Sequence, residues 1–198
     1  MKKITPIFFL FTCIIMSSCN PKKENQTAWR KLQCGLYINS EGKIAFPSDA
    51  ELAESPSLTT GTERCKNVFI THVGTDQKQS INSVVDTNSF ASLGANYYQD
   101  RSNIYSYHPM CDGGYLYIFS NDTATFRVLG DCYASHKLQI FHFQKGLVDA
   151  DFATFETSKN LGQLAKDKNG FFSFGDRIAE EKLKSEIDEK LLNQLKSL

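Results

Sequence analysis

The sequence predicts a mainly β fold, with tandem β-hairpin repeats, short helical turns and a C-terminal amphipathic helix. A motif of the form Asp-x-x-Ser/Thr-Phe occurs three times, beginning at Asp86, Asp122 and Asp151, at offsets of 36 and 29 residues. Each copy is followed by Leu-Gly and then by two aromatic residues separated by a single residue. Three ordered landmarks that recur three times indicate a repeat array rather than chance similarity.

Each position of the repeat motif has a physical reason. The carboxylate at the first position can accept hydrogen bonds from backbone N–H groups two or three residues later, which opens a short turn. The Phe four residues later can point into the core, and these residues are Phe90, Phe126 and Phe155. The Gly after Leu permits a left-handed backbone, which ends the turn. We therefore expect the three Asp and three Phe residues to be structural.

The aromatic segments predict half-buried strands, because large rings alternate with small or polar residues. They span residues 104–107, 140–143 and 171–174. Turn formers and a second short strand follow each one, so every unit is a turn plus a hairpin. A hairpin is unstable alone, so neighbouring units must share a core. The predicted repeats lie near residues 86–119, 122–148 and 151–178, within a domain of residues 31–178.

A fainter copy precedes these three repeats. Residues 36–46 align with residues 164–174, and residues 68–70 have the composition of one more strand. The Ser/Thr/Pro-rich stretch at residues 47–61 predicts an irregular loop.

Residues 179–198 differ from the repeats in their pattern. Apolar residues recur every four positions on a charged background, at Leu183, Ile187, Leu191 and Leu195. This spacing predicts an amphipathic helix. The favoured interpretation is a helix that covers the exposed edge of the last repeat. A helix that binds a partner or a second copy of the chain is the alternative.

Residues 1–18 resemble the signal peptide of a bacterial lipoprotein. Lys2 and Lys3 precede an apolar run at residues 7–16, which is too short to span a membrane, and two serines then lead to Cys19. The resemblance implies that Cys19 becomes the acylated N-terminus and anchors the protein to a membrane by lipid.

The polar residues that follow Cys19 predict a flexible tether over residues 19–30. Asn20 stands where lipoproteins retained at the inner membrane often have Asp, so the resemblance favours the outer membrane. Whether the protein faces the periplasm or the cell surface stays open.

Four cysteines remain after the signal peptide and Cys19 are set aside. In an exported chain they suggest two disulfides, with three pairings to consider. We favour Cys34–Cys65 and Cys111–Cys132, since each closes a local loop of about 20 to 30 residues, a constraint of roughly 3 to 4 kcal/mol. Free structural thiols, a metal site and a reactive thiol are the alternatives.

Composition and motifs argue against several function classes. Removing residues 1–18 takes away two lysines and no acid, which leaves 20 basic and 22 acidic residues and little attraction for nucleic acid. The four histidines are scattered in sequence, so we expect surface side chains rather than metal ligands. Asp149 and Asp151 have calcium-loop spacing, but the loop's Gly and distal Glu are missing. We expect no catalytic residue, metal or cofactor.

Two segments carry a family resemblance. Residues 98–105, and especially residues 165–172 with their Asp-Lys-Asn stretch before paired aromatics, resemble the DKNYY repeat family. The resemblance covers residues 86–178 and is eroded at His136. It implies a repeat architecture and an exported or lipid-anchored bacterial protein, and it supplies no catalytic residue.

The expected function is therefore that of a non-enzymatic, lipid-anchored envelope protein that binds or scaffolds through its repeat surface. The main alternative is an immunity or inhibitor lipoprotein that neutralises a protein partner in the envelope. A thiol- or His-based enzyme is a third hypothesis. The oligomeric state stays open.

Overall fold

The computed structural model describes residues 28–48, 69–110 and 113–198. The expected signal peptide, the expected lipidation site Cys19, and both Cys65 and Cys111 lie outside these ranges. Among the described residues, no helix has the length and hydrophobicity needed to cross a membrane.

The N-terminal part of the chain forms a four-stranded antiparallel sheet in the order β1-β2-β3-β4. Its strands are β1 (Arg30–Lys31), β2 (Tyr37–Ile38), β3 (Ile44–Pro47) and β4 (Phe69–Ile70). The β2–β3 hairpin covers all but the first residue of the faint copy at residues 36–46 and extends one residue further, since Pro47 ends β3 instead of beginning the expected loop. The part of that loop from residue 49 to residue 61 lies outside the described ranges. Strand β4 lies within the strand expected at residues 68–70.

A six-stranded sheet follows, in the order β6-β5-β10-β9-β8-β7. Its elements are β5 (His72–Val73), β6 (Gln79–Ser80), the single-turn helix α1 (Ile81–Val84), β7 (Ala91–Gly94), β8 (Tyr97–Gln99), β9 (Ile104–His108) and β10 (Tyr115–Ser120). The β10–β5 pair is parallel, and the other pairs of this sheet are antiparallel.

Two smaller antiparallel sheets complete the array. The first contains β11 (Arg127–Leu129), β12 (Tyr133–His136), β13 (Gln139–His142) and β14 (Gly146–Val148). The second contains β15 (Leu164–Asp167), β16 (Gly170–Ser173) and β17 (Asp176–Ile178). In both sheets the strands pair in chain order. The prediction of a mainly β fold is thereby confirmed.

Each repeat contains more strands than the two that the sequence predicted. We refer to residues 86–120, 122–148 and 151–178 as modules A, B and C. Modules A and B begin with an additional strand, β7 or β11, which module C lacks. In every module the strand directly before the expected hairpin forms a three-stranded meander with it; these first strands of the meanders are β8, β12 and β15. They were missed because they do not alternate in polarity: all four residues of β12 are buried.

Three cores follow one another along the chain. The N-terminal core lies between the first sheet and one face of the six-stranded sheet, and Phe90 is buried there. The central core joins modules A, B and C; Phe126 is buried in it and Phe155 packs against it. The C-terminal core contains Leu161 and Leu164 together with leucines from the last residues of the chain.

The aromatic pairs are less regular than the sequence predicted. Strand β9 is buried at four of its five positions, so it lies between two cores rather than being half-buried. The prediction that both rings of the third aromatic pair face the core is wrong for Phe174, which is 58% exposed. The reason is that β16 ends at Ser173, and Phe174 enters a turn with φ 54°.

The C-terminal segment forms two helices rather than one, namely α2 (Glu180–Glu186) and α3 (Glu189–Lys196). The break occurs because the Asp188 carboxylate accepts a hydrogen bond of 2.7 Å from the Leu191 backbone N–H and caps α3. The break also changes the buried stripe, since Leu192 is buried and Leu191 only partly so. The helices pack against β16 and β15 and complete the C-terminal core.

Candidate functional site

The Asp of each repeat motif holds a short turn. In module A, Asp86 accepts hydrogen bonds from the Asn88 backbone N–H (3.0 Å) and the Ser89 hydroxyl (2.7 Å). Asp122 and Asp151 bind the Thr three residues later in the same way, and all three carboxyl groups have pKa values below the ordinary one, because hydrogen bonds stabilise the charged form.

A second carboxylate joins each turn to its sheet in modules A and C. In each of these modules the backbone N–H of the motif Asp donates a hydrogen bond to a side chain near the end of the meander's first strand. We call this hydrogen bond the turn lock. In module A the bond runs from Asp86 to Asp100 Oδ2, at 2.9 Å. In module C it runs from Asp151 to Asp167 Oδ2, also at 2.9 Å. These acceptors lie 14 and 16 residues further along the chain.

Asp100 is a buried acceptor with four donors. Besides Asp86 it binds the Tyr105 hydroxyl at 2.7 Å and the backbone N–H groups of Ser102 and Asn103 at 2.8 Å each. Burial alone would raise the pKa of this carboxyl group. The four hydrogen bonds outweigh burial, so the pKa lies below its ordinary value. Asp100 is therefore an ionised structural residue.

Asp167 has an ion pair in addition to its turn lock. Arg177 donates two hydrogen bonds to its carboxylate, at 2.8 and 2.9 Å, and the guanidinium lies 4.4 Å above the Phe172 ring. Asn169 donates a backbone bond of 2.8 Å to the same carboxylate. Arg177 is the main cause that lowers the pKa of Asp167 to about 2. This Asp is the first residue of the Asp-Lys-Asn stretch.

A sequence profile of the DKNYY family matches residues 65–175, which is more than half of the chain. The chain belongs to the DKNYY family. The matched region contains the turn locks of modules A and C and ends before the C-terminal helices. No curated protein and no solved structure matches the chain.

In this DKNYY protein the lock of module B has no carboxylate at the strand end, because His136 occupies that place. The Asp122 backbone N–H instead donates to the Ser120 hydroxyl (3.0 Å), which lies 3.2 Å from His136 Nε2. His136 Nδ1 lies 3.0 Å from the Thr125 hydroxyl, and that hydroxyl donates to Asp122 at 2.8 Å. Since Thr125 uses its proton on Asp122, Nδ1 must be the donor, and in a neutral imidazole Nε2 is then the acceptor.

The ring formed by Ser120, His136, Thr125 and Asp122 places a hydroxyl, an imidazole and a carboxylate in a relay order, as in serine hydrolases. A structural role accounts for the same contacts. Ser120 Oγ accepts the hydrogen bond from the motif Asp's backbone N–H, which a carboxylate accepts in modules A and C. Thr125 corresponds to Ser89 and Thr154, whose hydroxyl oxygens likewise accept a hydrogen bond, in their case from a backbone N–H just after the meander's first strand. Sequence reasoning missed this set, although His136 aligns with Asp100 and Asp167.

A fourth acceptor of this type lies in the N-terminal hairpin. Asn39 follows β2 and accepts hydrogen bonds from the backbone N–H groups of Glu41 (3.0 Å) and Lys43 (2.9 Å). The alignment of residues 36–46 with residues 164–174 places Asn39 opposite Asp167. The faint copy therefore uses an amide oxygen where module C uses a carboxylate.

The two described cysteines lie in different cores and are not bonded to each other. This excludes the Cys34–Cys132 pairing. The favoured bridges, Cys34–Cys65 and Cys111–Cys132, each include one residue outside the described ranges and stay predictions. As a free thiol, Cys132 would stay protonated at neutral pH, because burial raises its pKa to about 11.

The histidines are not all surface side chains as the sequence predicted. His136 and His142 are buried, while His72 and His108 are partly exposed. Burial of these two imidazoles is possible because their ring nitrogens form hydrogen bonds inside the protein, to Thr125 from His136 and to Gln163 from His142. Within residues 28–48, 69–110 and 113–198, no three His, Cys, Asp or Glu side chains are grouped so as to hold a metal ion.

Three partly exposed rings lie together on β9 and β10. His108 pairs with Tyr115 across these strands, and the Tyr117 ring lies 5.2 Å from His108 and 6.0 Å from Tyr115. All three rings are partly exposed, and Met110 beside them is 52% exposed. We name these four residues the aromatic strip. It contains no Lys, Arg, Asp or Glu.

Proposed function

We propose that this DKNYY protein is a lipid-anchored envelope protein that binds or scaffolds a partner through the surface of its repeat array and catalyses no reaction. The observation that carries the proposal is how its polar side chains are used. Asp100 and Asp167 accept the turn N–H groups of their modules, and in module B the Ser120–His136 ring does the same. Groups engaged in this way hold the fold and are not poised to attack a substrate.

The aromatic strip supplies a candidate contact surface for the partner. Partly exposed rings provide a large contact area at a low cost in side-chain entropy, and such rings are enriched in protein interfaces. The strip has no charged residue, so attraction for nucleic acid is not expected there. Anchoring rests on the resemblance of residues 1–18 to a lipoprotein signal and on acylation of Cys19.

Crosslinking in intact envelopes, followed by capture of the full-length protein, tests binding. The Tyr115→Ala/Tyr117→Ala variant is compared with Phe152→Ala, which removes another exposed ring from module C and so controls for general loss of aromatic surface. We expect the first variant alone to lose its crosslinked product. Equal crosslinking of both variants with folded circular-dichroism spectra would contradict a role for the strip.

The identity of the captured product separates the two binding hypotheses. One protein captured in stoichiometric amount supports an immunity or inhibitor function, whereas several envelope components support a scaffold. Anchoring is tested in the same cells by Cys19→Ser, which we expect to move the protein from the membrane fraction to the soluble fraction. Unchanged membrane partition would contradict lipid anchoring and would leave the binding result intact.

A further inference from the structure

The junction between modules B and C is built around two buried aromatic side chains of module B. Tyr133 is fully buried; its hydroxyl donates to the Gln163 carbonyl (2.7 Å) and accepts from the Gly175 backbone N–H (3.2 Å). His142 is 1% exposed, and its Nε2 is hydrogen-bonded to the Gln163 side-chain oxygen. Gly175 lies so close that an added Cβ would be 3.0 Å from His142 Cβ.

The partners of His142 fix its protonation state. Its Nδ1 lies 3.3 Å from the backbone nitrogens of Gln144 and Lys145. Backbone N–H groups can only donate, so Nδ1 is an acceptor and Nε2 carries the proton that is given to Gln163. The junction therefore requires a neutral imidazole.

A second proton on His142 would disrupt this arrangement. It would occupy Nδ1, leave the two backbone donors without an acceptor and place a positive charge in a site closed to water. The nearby charged groups do not compensate, since the Lys145 ammonium is also positive and the Asp176 carboxylate is paired with it. The other titratable neighbours carry no charge: burial raises the pKa of Tyr133 to about 12, and Cys132 is neutral both as a disulfide and as a thiol whose pKa burial raises to about 11.

His136 provides an internal contrast. Both of its partners, the hydroxyls of Thr125 and Ser120, have oxygen atoms that can accept a bond, and the Asp122 carboxylate completes the same ring. A protonated His136 would therefore keep both contacts. At the junction of modules A and B, direct packing comes from rings such as Tyr97 against Phe126, 4.9 Å apart, which do not titrate at mildly acidic pH.

We infer that the junction of modules B and C is an acid-sensitive joint, at which protonation of His142 releases module C and the two C-terminal helices from module B. Burial and Lys145 lower the pKa of His142 below 6.5, whereas the bond to Gln163 raises it, and burial is the largest of these effects. When the joint opens, the His142 imidazole becomes exposed to water and binds a proton more readily than it does in the closed joint. Acidification below about pH 6.5 therefore favours the open form.

Amide hydrogen exchange of the full-length protein at about pH 7.5 and pH 5.5, corrected for intrinsic exchange rates, tests the joint. We expect protection of residues 158–196 to fall by up to about tenfold relative to module A, since one proton is taken up per opening. His142→Asn keeps an acceptor near the Nδ1 position and does not titrate, so it should abolish this response.

Two further variants keep the test decisive if His142→Asn does not fold. Gln163→Glu places a carboxylate against Nε2, which favours the charged imidazole in the closed joint and should weaken the acid response. His136→Asn should leave the response unchanged. Equal loss of protection in modules A and C on acidification, or a full response in His142→Asn or Gln163→Glu, would overturn the inference.

Discussion

The backbone N–H of Asp151 donates a hydrogen bond of 2.9 Å to the carboxylate of Asp167, which ties the turn that opens module C to the first strand of its sheet. The same bond links Asp86 to Asp100 in module A. In each case one Asp organises the turn and a second Asp accepts from it. Modules A and C therefore depend on two carboxylates with different structural roles, which explains why these two repeats have Asp at two separate positions.

Gly130 is required by close packing between modules B and C. An added Cβ would lie 2.9 Å from the Ser158 carbonyl oxygen and 3.0 Å from the Thr157 hydroxyl, and φ is 61°. We expect Gly130→Ala to lower the free energy of unfolding by about 2 to 4 kcal/mol, through left-handed strain plus the clash. Urea unfolding measures the loss.

Gly146→Ala is the matched control for Gly130. Its φ of 84° gives comparable strain, but an added Cβ meets no atom within 4 Å. The expected loss is about 1 to 2 kcal/mol. Equal losses in the two variants would show that contact with Ser158 and Thr157 is unimportant.

Ser120 should behave as a structural hydroxyl. We expect Ser120→Ala to cost about 1 to 2 kcal/mol of stability, because the Asp122 backbone N–H and His136 both lose a partner. We also expect a fluorophosphonate probe, which labels activated serines, to leave the wild-type protein unmodified. Labelling that disappears in Ser120→Ala would instead identify a nucleophile and refute the non-enzymatic proposal.

Acid should weaken the turn lock of module C in a defined pH range. The pKa of Asp167 is about 2 in the folded protein and 3.8 ordinarily, so the unfolded chain takes up the proton first as the pH falls. The stabilisation is thus complete above about pH 5 and is lost progressively between about pH 5 and about pH 1. As the pH falls through this range, the urea midpoints of the wild type and of Asp167→Asn should converge. A difference between them that does not change with pH would contradict the assignment of this acid sensitivity to Asp167.

The turns could be predicted from the sequence because their contacts are local. Asp86 bonds to residues two and three positions away, and the motif states this spacing directly. The C-terminal helix was predicted only in outline, because an N-cap at Asp188 interrupts the stripe. An Asp within a helical pattern, at a position where it can cap a following helix, could have indicated that the segment forms two helices.

The locks were harder to predict because their partners lie 14 to 16 residues apart and meet only when the meander forms. The first strands were missed for a related reason: a strand buried on both faces, such as β12, loses the polar alternation that marks a strand. The family resemblance already aligned His136 with Asp100 and Asp167, but an alignment does not show which backbone N–H a side chain at that position contacts.

The most direct test of the account is the stability of Asp167→Asn, because the claim that polar side chains of the repeat serve the fold depends on this lock. The substitution removes the charge that Arg177 and the Asp151 N–H both contact, in a carboxylate side chain that is fully buried. We expect urea unfolding to show a loss of about 3 kcal/mol. Asp76→Asn, at an exposed pair with Lys78, should cost less than about 0.5 kcal/mol. Equal stability of Asp167→Asn and the wild type would contradict the account.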